Sequence, residues 1–424
     1  MGKWWDGGKR DRTTARGAPV SGAADDTGVF WLRVARELAD DLAVDAVERD
    51  RAGKPPYDEM ARIRESGLLP ALAPPDGRGL GMEWPTGCAV VRRIAAADGS
   101  LGELLGRHYA LSWSARFFSD PERARAVEAA ARTGQWLWAG DTGTPYPHAF
   151  GGEAGTGASL VRAVRRGGAV LRGSRALACA VTVADRLVLD ATADDTGEPV
   201  VVLVDPRHAG VTREQAHDRF GQRLADAGTC HFDGVPAGGD AVLGPAAADD
   251  ETAAPFTTLA PLTLRLVLTH VALGIAEGAL AEAGELSRAA ARSARATEDP
   301  GGPLAPADGD MLRTFGSLAL ALHGASAVVA QATTALSEAL GAGPGLDEER
   351  RARTAVLVAA AEAATVPAAL RAGERVLGLA RADGLDRFWR DLRTLVVRAP
   401  EGQGLRAIGE HYLSGALGAA APWA

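Results

Sequence analysis

Three cysteines, Cys88, Cys179 and Cys230, are all that 424 residues contain. They are far apart and odd in number, and no CxxC or zinc-type spacing joins them. A disulfide framework or a structural zinc site is therefore not expected, and a reducing cytoplasm fits best. No run of about 18 continuous apolar residues occurs, so no membrane-spanning segment is expected. Positive charge is not in excess either. The formal net charge is −8, which argues against general affinity for nucleic acid. Several motifs are also missing: GxGxxG after a strand, a P-loop, GxSxG, and a metal spacing such as HExxH.

What remains is a chain with 46% hydrophobic and 24% charged residues, ordinary values for a globular protein. At this length two or three domains are expected. Residues 1–27 have no apolar core of signal-peptide type and read as a disordered leader. Residues 28–133 carry apolar positions at helical spacing. Within them Asp120 and Pro121 predict an N-cap and first position. Residues 134–250 change to short β-rich runs divided by Gly and Asp, which predict a β-sandwich or barrel. Residues 251–424 return to long alanine-rich helices, which predict a four-helix bundle. The fold class is α+β, in the order helical domain, β domain, bundle.

Four stretches sharpen this order. Phe220–Val235 reads FGQRLADAGTCHFDGV, and Gly173–Asp185 reads GSRALACAVTVAD. Leu273–Ala283 reads LGIAEGALAEA, and Leu385–Pro400 reads LDRFWRDLRTLVVRAP. In the last, Arg387, Arg390 and Arg393 share a helix face, and Phe388 and Trp389 bring large apolar area. With the His108-Tyr109 pair, these stretches resemble the acyl-CoA dehydrogenase superfamily. Within it they resemble the flavin-dependent monooxygenases related to dibenzothiophene monooxygenase. The resemblance covers about residues 28–420.

The resemblance implies reduced FMN as cofactor, with FAD as the alternative. It also implies a separate flavin reductase, a small organic substrate, and a homotetramer or homodimer with flavin at the interface. It places a histidine, here His108 followed by Tyr109, facing the pocket; a buried histidine satisfied by a carbonyl is the competing reading. Trp138 falls on an aromatic strand against the flavin, and Thr142, Thr144 and His148 lie in the loop beyond it. Cys179 stands where the family has Ser or Thr before Gly, and a thiol is a weak donor. Ala180 replaces that Gly and disfavours positive φ. Arg292 and Arg295 fall where an arginine reaches the flavin phosphate across a subunit interface.

The ending departs from the family. Leu395 and Arg398 replace its two histidines, and Ala399 stands where dehydrogenases keep a Glu. Arg398 can act as a fixed cation but not as an acid or base. Two alternatives stay open on sequence alone: an FAD-dependent acyl-CoA dehydrogenase, and a degenerate member that binds or scaffolds without catalysis.

Overall fold

A computed structural model describes residues 22–72, 81–141, 162–164, 170–193, 198–246, 254–298, 309–379, 384–396 and 403–414. The first helices are α1 (Gly22–Ala43), α2 (Ala46–Ala52), α3 (Tyr57–Glu65), α4 (Trp84–Ala97), α5 (Gly99–Ser112), α6 (Ser114–Phe118) and α7 (Pro121–Gly134). α1 thus begins inside the stretch read as a leader. The α7 cap is as the sequence predicts: the Asp120 carboxylate accepts the N–H groups of Glu122 and Arg123, each at 3.0 Å. Asp98 does the same for α5, accepting from Ser100 at 3.1 Å and Leu101 at 3.2 Å.

α5 is buried on every side from Gly99 to Leu111. Two glycines make that possible. A Cβ at Gly102 would collide with Ala95 of α4, and one at Gly106 with Val267 of the bundle. The helices approach as closely as their backbones allow.

The strands are β1 (Trp138–Asp141), β2 (Arg162–Val164), β3 (Val170–Leu177), β4 (Arg186–Ala193), β5 (Pro199–Val204), β6 (Val211–Gln215), β7 (Gly228–Pro236) and β8 (Val242–Pro245). They form one eight-stranded sheet in the order β6-β7-β3-β2-β4-β5-β8, with β1 paired parallel to β4. Among the described residues all eight strands are joined by hydrogen bonds in one sheet. Alternation sorts its side chains. Leu137 and Ala139 enter the main core, while Trp138 enters a smaller one with Leu111, Ala115, Ala124, Val188, Val201 and Leu243.

The C-terminal helices are α8 (Leu259–Glu298), α9 (Gly309–Ala342), α10 (Glu348–Leu379), α11 (Asp386–Val396) and α12 (Gln403–Ser414). By length and composition alone, α8, α9 and α10 are apolar enough to cross a membrane. The apolar window of α8 is 83% buried inside the chain, those of α9 and α10 only 28% and 39%. α8 packs on α4 and α5 and so joins the bundle to the helices that carry His108.

Candidate functional site

α5, the start of β1, the β3–β4 turn, the G-Q-R turn and α11 converge in one region. His108, on α5, is 1% exposed. Its Nδ1 accepts the Trp138 backbone N–H at 3.1 Å, and its Nε2 lies 2.8 Å from the Leu69 carbonyl. These partners fix the neutral tautomer with the proton on Nε2. Burial pushes its pKa down to about 4. Neither ring nitrogen is left for a flavin or substrate. Of the two readings given by the sequence, these contacts favour the buried histidine satisfied by backbone groups. Tyr109 does the same work, its hydroxyl donating to the Leu68 carbonyl at 2.9 Å. The cavity beside His108, bounded by Trp113, Trp136 and Trp138, measures about 20 Å³. It is too small for a flavin ring.

Trp138 is 1% exposed and lies in the smaller core. Its indole therefore packs rather than facing a cofactor. Thr142, Thr144 and His148 lie outside the described residues.

The β3–β4 turn carries the two substitutions singled out in the sequence. Cys179 is buried. Ala180 adopts φ 57, the left-handed conformation that alanine disfavours. The backbone that alanine disfavours is adopted all the same. The turn is held from outside: Ala180 N–H donates to the Ala225 carbonyl and Val181 N–H to the Asp226 carbonyl, each at 2.8 Å. The strain costs about 1–2 kcal/mol, which two good hydrogen bonds and full burial can offset.

The Asp226 carboxylate completes the hold. Its Oδ2 accepts the Thr182 N–H at 2.7 Å, the Thr182 hydroxyl at 2.8 Å and the Val183 N–H at 3.2 Å. Its Oδ1 is buried without a partner, and burial raises the carboxyl to about 6. Arg213 of β6 donates to the Thr182 carbonyl at 2.8 Å.

The G-Q-R turn, Gly221-Gln222-Arg223, docks on α11. A Cβ at Gly221 would overlap the Arg390 carbonyl. Gln222 N–H donates to Asp391 Oδ1 at 2.5 Å. The Gln222 amide is fully buried with neither polar atom paired. Arg390 reaches Asp50 of α2 at 2.5 Å, Asp386 at 2.8 Å and the Phe220 carbonyl at 3.0 Å. Arg387 grips Glu282 of α8 at 2.5 and 3.0 Å. α11 is therefore a rivet between the first helices, the sheet and the bundle. Asp391 is buried, and that desolvation, with Asp98 and Asp50 nearby, lifts its carboxyl to about 8. Neither Asp226 nor Gln222 is among the site residues expected from the sequence. An Asp between two alanines and a Gln in a tight turn are weak signals without the partners that surround them.

Arg292 is exposed near the end of α8 and makes no ion pair among the described residues. α8 also carries Arg295, whose side chain lies outside the described residues, as does Arg398. The larger described cavity, about 770 Å³, lies between α9 and α10, lined by Thr314, Arg371, Glu374 and Arg375. It is not part of this junction. Among the described residues no cluster of His, Cys, Asp and Glu is arranged to hold a metal.

No family model matches the chain. Individual proteins do. Dibenzothiophene monooxygenase of Rhodococcus erythropolis is 32% identical over 409 residues, covering 91% of this chain and 93% of the relative. A probable FMNH2-dependent monooxygenase, SfnC, of Pseudomonas putida is 27% identical over 405 residues, covering 90% and 94%. Among solved structures, FMN-bound TdsC from Paenibacillus sp. A11-2 superposes with a TM-score of 0.81 at 29% identity, covering 93% of this chain and 100% of that one.

Proposed function

The chain belongs to the flavin-dependent monooxygenase branch of the acyl-CoA dehydrogenase superfamily, and we propose that it is the oxygenase of a two-component system. It takes reduced FMN from a separate reductase and uses O2 to oxygenate a small organic molecule. The observation that carries this is 32% identity held over 91% of the chain, through helices, sheet and bundle alike. The FMNH2-dependent relative and the FMN-bound structure support FMN over FAD. The order of elements supports three units, over 28–133, 134–250 and 251–424. Three cysteines without disulfides support a reducing, cytoplasmic setting.

The donor set fits FMN. Near the junction it consists of backbone groups and an unpaired buried amide, Gln222, which suit an uncharged ring system. The phosphate needs cations, and Arg292 stands exposed with no ion pair among the described residues. Reduced FMN, when bound, supplies the electrons that activate O2. The protein does the rest. The Cys179 turn, Thr142 and Thr144 would hydrogen-bond the ring, and buried α5 would keep water from it. Arg292 and Arg295 would hold the phosphate of a neighbouring subunit's flavin. Arg398 would supply a fixed positive charge.

A neighbouring subunit also explains the outer helices. Leu312 and Leu320 of α9, Leu377 of α10, and Leu405, Tyr412 and Leu413 of α12 are large apolar side chains left exposed. We read these faces as covered by further copies in a dimer or tetramer.

The test is anaerobic titration with reduced FMN, then admission of O2 and mass analysis of candidate substrates. Tight binding and a product heavier by one oxygen atom are expected. Protein that neither binds FMN nor changes the oxidation of reduced flavin sinks the reading. Bleaching of bound flavin by acyl-CoA thioesters would move the chain to the dehydrogenase side.

A further inference from the structure

α9 runs for 34 residues, and from Thr314 to Ser337 it holds no Asp, Glu, Lys or Arg. One face packs inward through Leu318, Leu322, Ala325, Val329, Ala332 and Leu336. On the opposite side Ser317, Leu320, Gly324, Ala327, Gln331 and Thr334 recur every three or four residues and so share one face. All six are exposed, Leu320 by 74%. Only 28% of the helix's apolar window is buried inside the chain. A helix face left to water normally carries charge. Apolar area kept without charge marks a contact surface. Charge returns only at the two ends of this face. Arg313 stands before it, exposed and paired with Asp310 of its own turn. Glu338 closes it, exposed and without an ion pair among the described residues.

We propose that this face of α9 is a contact with a second copy of the chain, the two helices packed antiparallel across a two-fold axis. The end charges set the direction. Parallel helices would face Arg313 with Arg313, whereas antiparallel ones face it with Glu338 of the second copy. They also set the register. With the axis midway between Ala325 and Ser326, Arg313 meets Glu338, Ser317 meets Thr334, Leu320 meets Gln331, and Gly324 meets Ala327 of the second copy. Every one of these positions is exposed in the single chain, so the face is complementary to itself, as a two-fold contact requires. Gly324 and Ala327 stand next to the axis, where the backbones come closest. A Cβ added to Gly324 would meet nothing in its own chain, so the chain's own packing does not call for this helix-weakening residue. The ion pairs at the ends add little affinity but fix direction and register. This contact rests on the reading of the outer helices as covered by further copies. It adds which helix, which direction and which pairs, and it does not depend on flavin.

The test uses the full chain, whose native cysteines are all buried. Leu320→Cys and Gln331→Cys proteins are prepared separately, mixed and oxidised. The mixture should give a covalent dimer on a denaturing gel. Either variant alone should not, because the antiparallel pair sets the two copies of each position about 16 Å apart along the helices, beyond the reach of a disulfide. Light scattering reads the end charges. Arg313→Glu and Glu338→Arg, each alone, bring like charges together twice and should weaken self-association about tenfold or more. Mixed in equal amounts, the two proteins should assemble to within about threefold of wild type, since each end again joins opposite charges.

No covalent dimer in the mixture, or as much from either cysteine variant alone, overturns the proposal. So do Arg313→Glu and Glu338→Arg proteins that each assemble like wild type. A monomeric wild-type chain removes the assembly reading and this contact together. If that monomer also sediments with phosphatidylcholine vesicles, the face belongs to a lipid surface. A wild-type assembly left intact by every variant removes this contact alone.

Discussion

The Trp138 backbone N–H points into Nδ1 of His108 across 3.1 Å, so the first strand of the sheet is hung from a helix buried from Gly99 to Leu111. The same ring reaches the Leu69 carbonyl at 2.8 Å. One imidazole thus satisfies two backbone groups from segments that precede and follow its own helix. This is how the first helices set the height of β1, and with it the position of the adjoining β3–β4 turn.

Replacing His108 by Phe keeps the bulk but strands one buried N–H and one buried C=O. Each orphan costs about 1–3 kcal/mol, so a loss of roughly 2–5 kcal/mol in unfolding free energy is expected from urea titration. His108→Gln, which can both donate and accept, should recover part of it. FMN binding should survive in His108→Gln. If it vanishes while stability is kept, the ring has a role at the flavin after all.

Stability should respond to pH in two directions. His108, held near 4, and His270, held near 3 by burial, both titrate below the ordinary 6.5. Their contribution is present above 6.5 and lost as pH falls toward 4. Asp226 and Asp391 are raised, to about 6 and about 8. Their contribution is present below the ordinary carboxylate value and lost as pH rises through those numbers. Of these four, only Asp391 acts between pH 6.5 and 8. Stability should fall there by about 1–2 kcal/mol. Asp391→Asn, whose amide oxygen can still accept the Gln222 N–H, should flatten that slope in urea midpoints across the window.

Much of this was legible in the sequence where the cause is local. Asp120 and Pro121 announce the start of α7 within three residues, and the arginine spacing of Leu385–Arg393 announces a helix with one charged face. What that face meets was not legible. Arg390 pairs with Asp50, 340 positions away, and Arg387 with Glu282, 105 away. No local pattern encodes such pairs. Ala180 was legible and misleading at once. Its propensity argued against positive φ, but tertiary hydrogen bonds outweigh about 1–2 kcal/mol of backbone preference. The choice between the two readings of His108 was not legible for a related reason: type and position suggest chemistry, but only the partners reveal that both nitrogens are hydrogen-bonded to backbone.

Ala180→Gly should therefore be tolerated and can gain up to about 1 kcal/mol, as relief at φ 57 is partly offset by the entropy of a freer unfolded chain. Ala180→Val should lose about 2 kcal/mol or more, because a β-branched side chain is poorly tolerated in left-handed backbone. Melting temperatures of the pair test this. A Val variant as stable as wild type would show that the turn can relax out of the left-handed region.

The proposed assembly predicts that charge on the outer apolar face dissociates it. Leu320, 74% exposed on α9, and Leu413, 90% exposed on α12, make few demands on the folded monomer. Leu320→Glu and Leu413→Glu should leave the urea midpoint nearly unchanged and lower the mass seen by light scattering. FMN affinity should fall with it if Arg292 and Arg295 serve a neighbour's flavin. Unchanged mass in the double variant would mean that these faces are not the contact.

Gly221→Ala tests whether the α11 rivet and the G-Q-R turn act as one unit. A methyl group there meets the Arg390 carbonyl, which belongs to a helix fixed by Asp50 and Glu282 and so cannot yield. The turn must lift instead. Lifting it breaks the Gln222 N–H bond to Asp391 and the Arg390 bond to the Phe220 carbonyl. The expected loss is about 3 kcal/mol or more, from overpacking plus a buried carboxylate left without its donor. Because Asp391→Asn acts on the same contact, the two losses should not add: the double variant should fall short of their sum by 0.5 kcal/mol or more. Strict additivity would mean that turn and helix are packed together but not coupled. The residues that most clearly mark the family would then have no mechanical hold on the turn that carries Cys179 and Ala180.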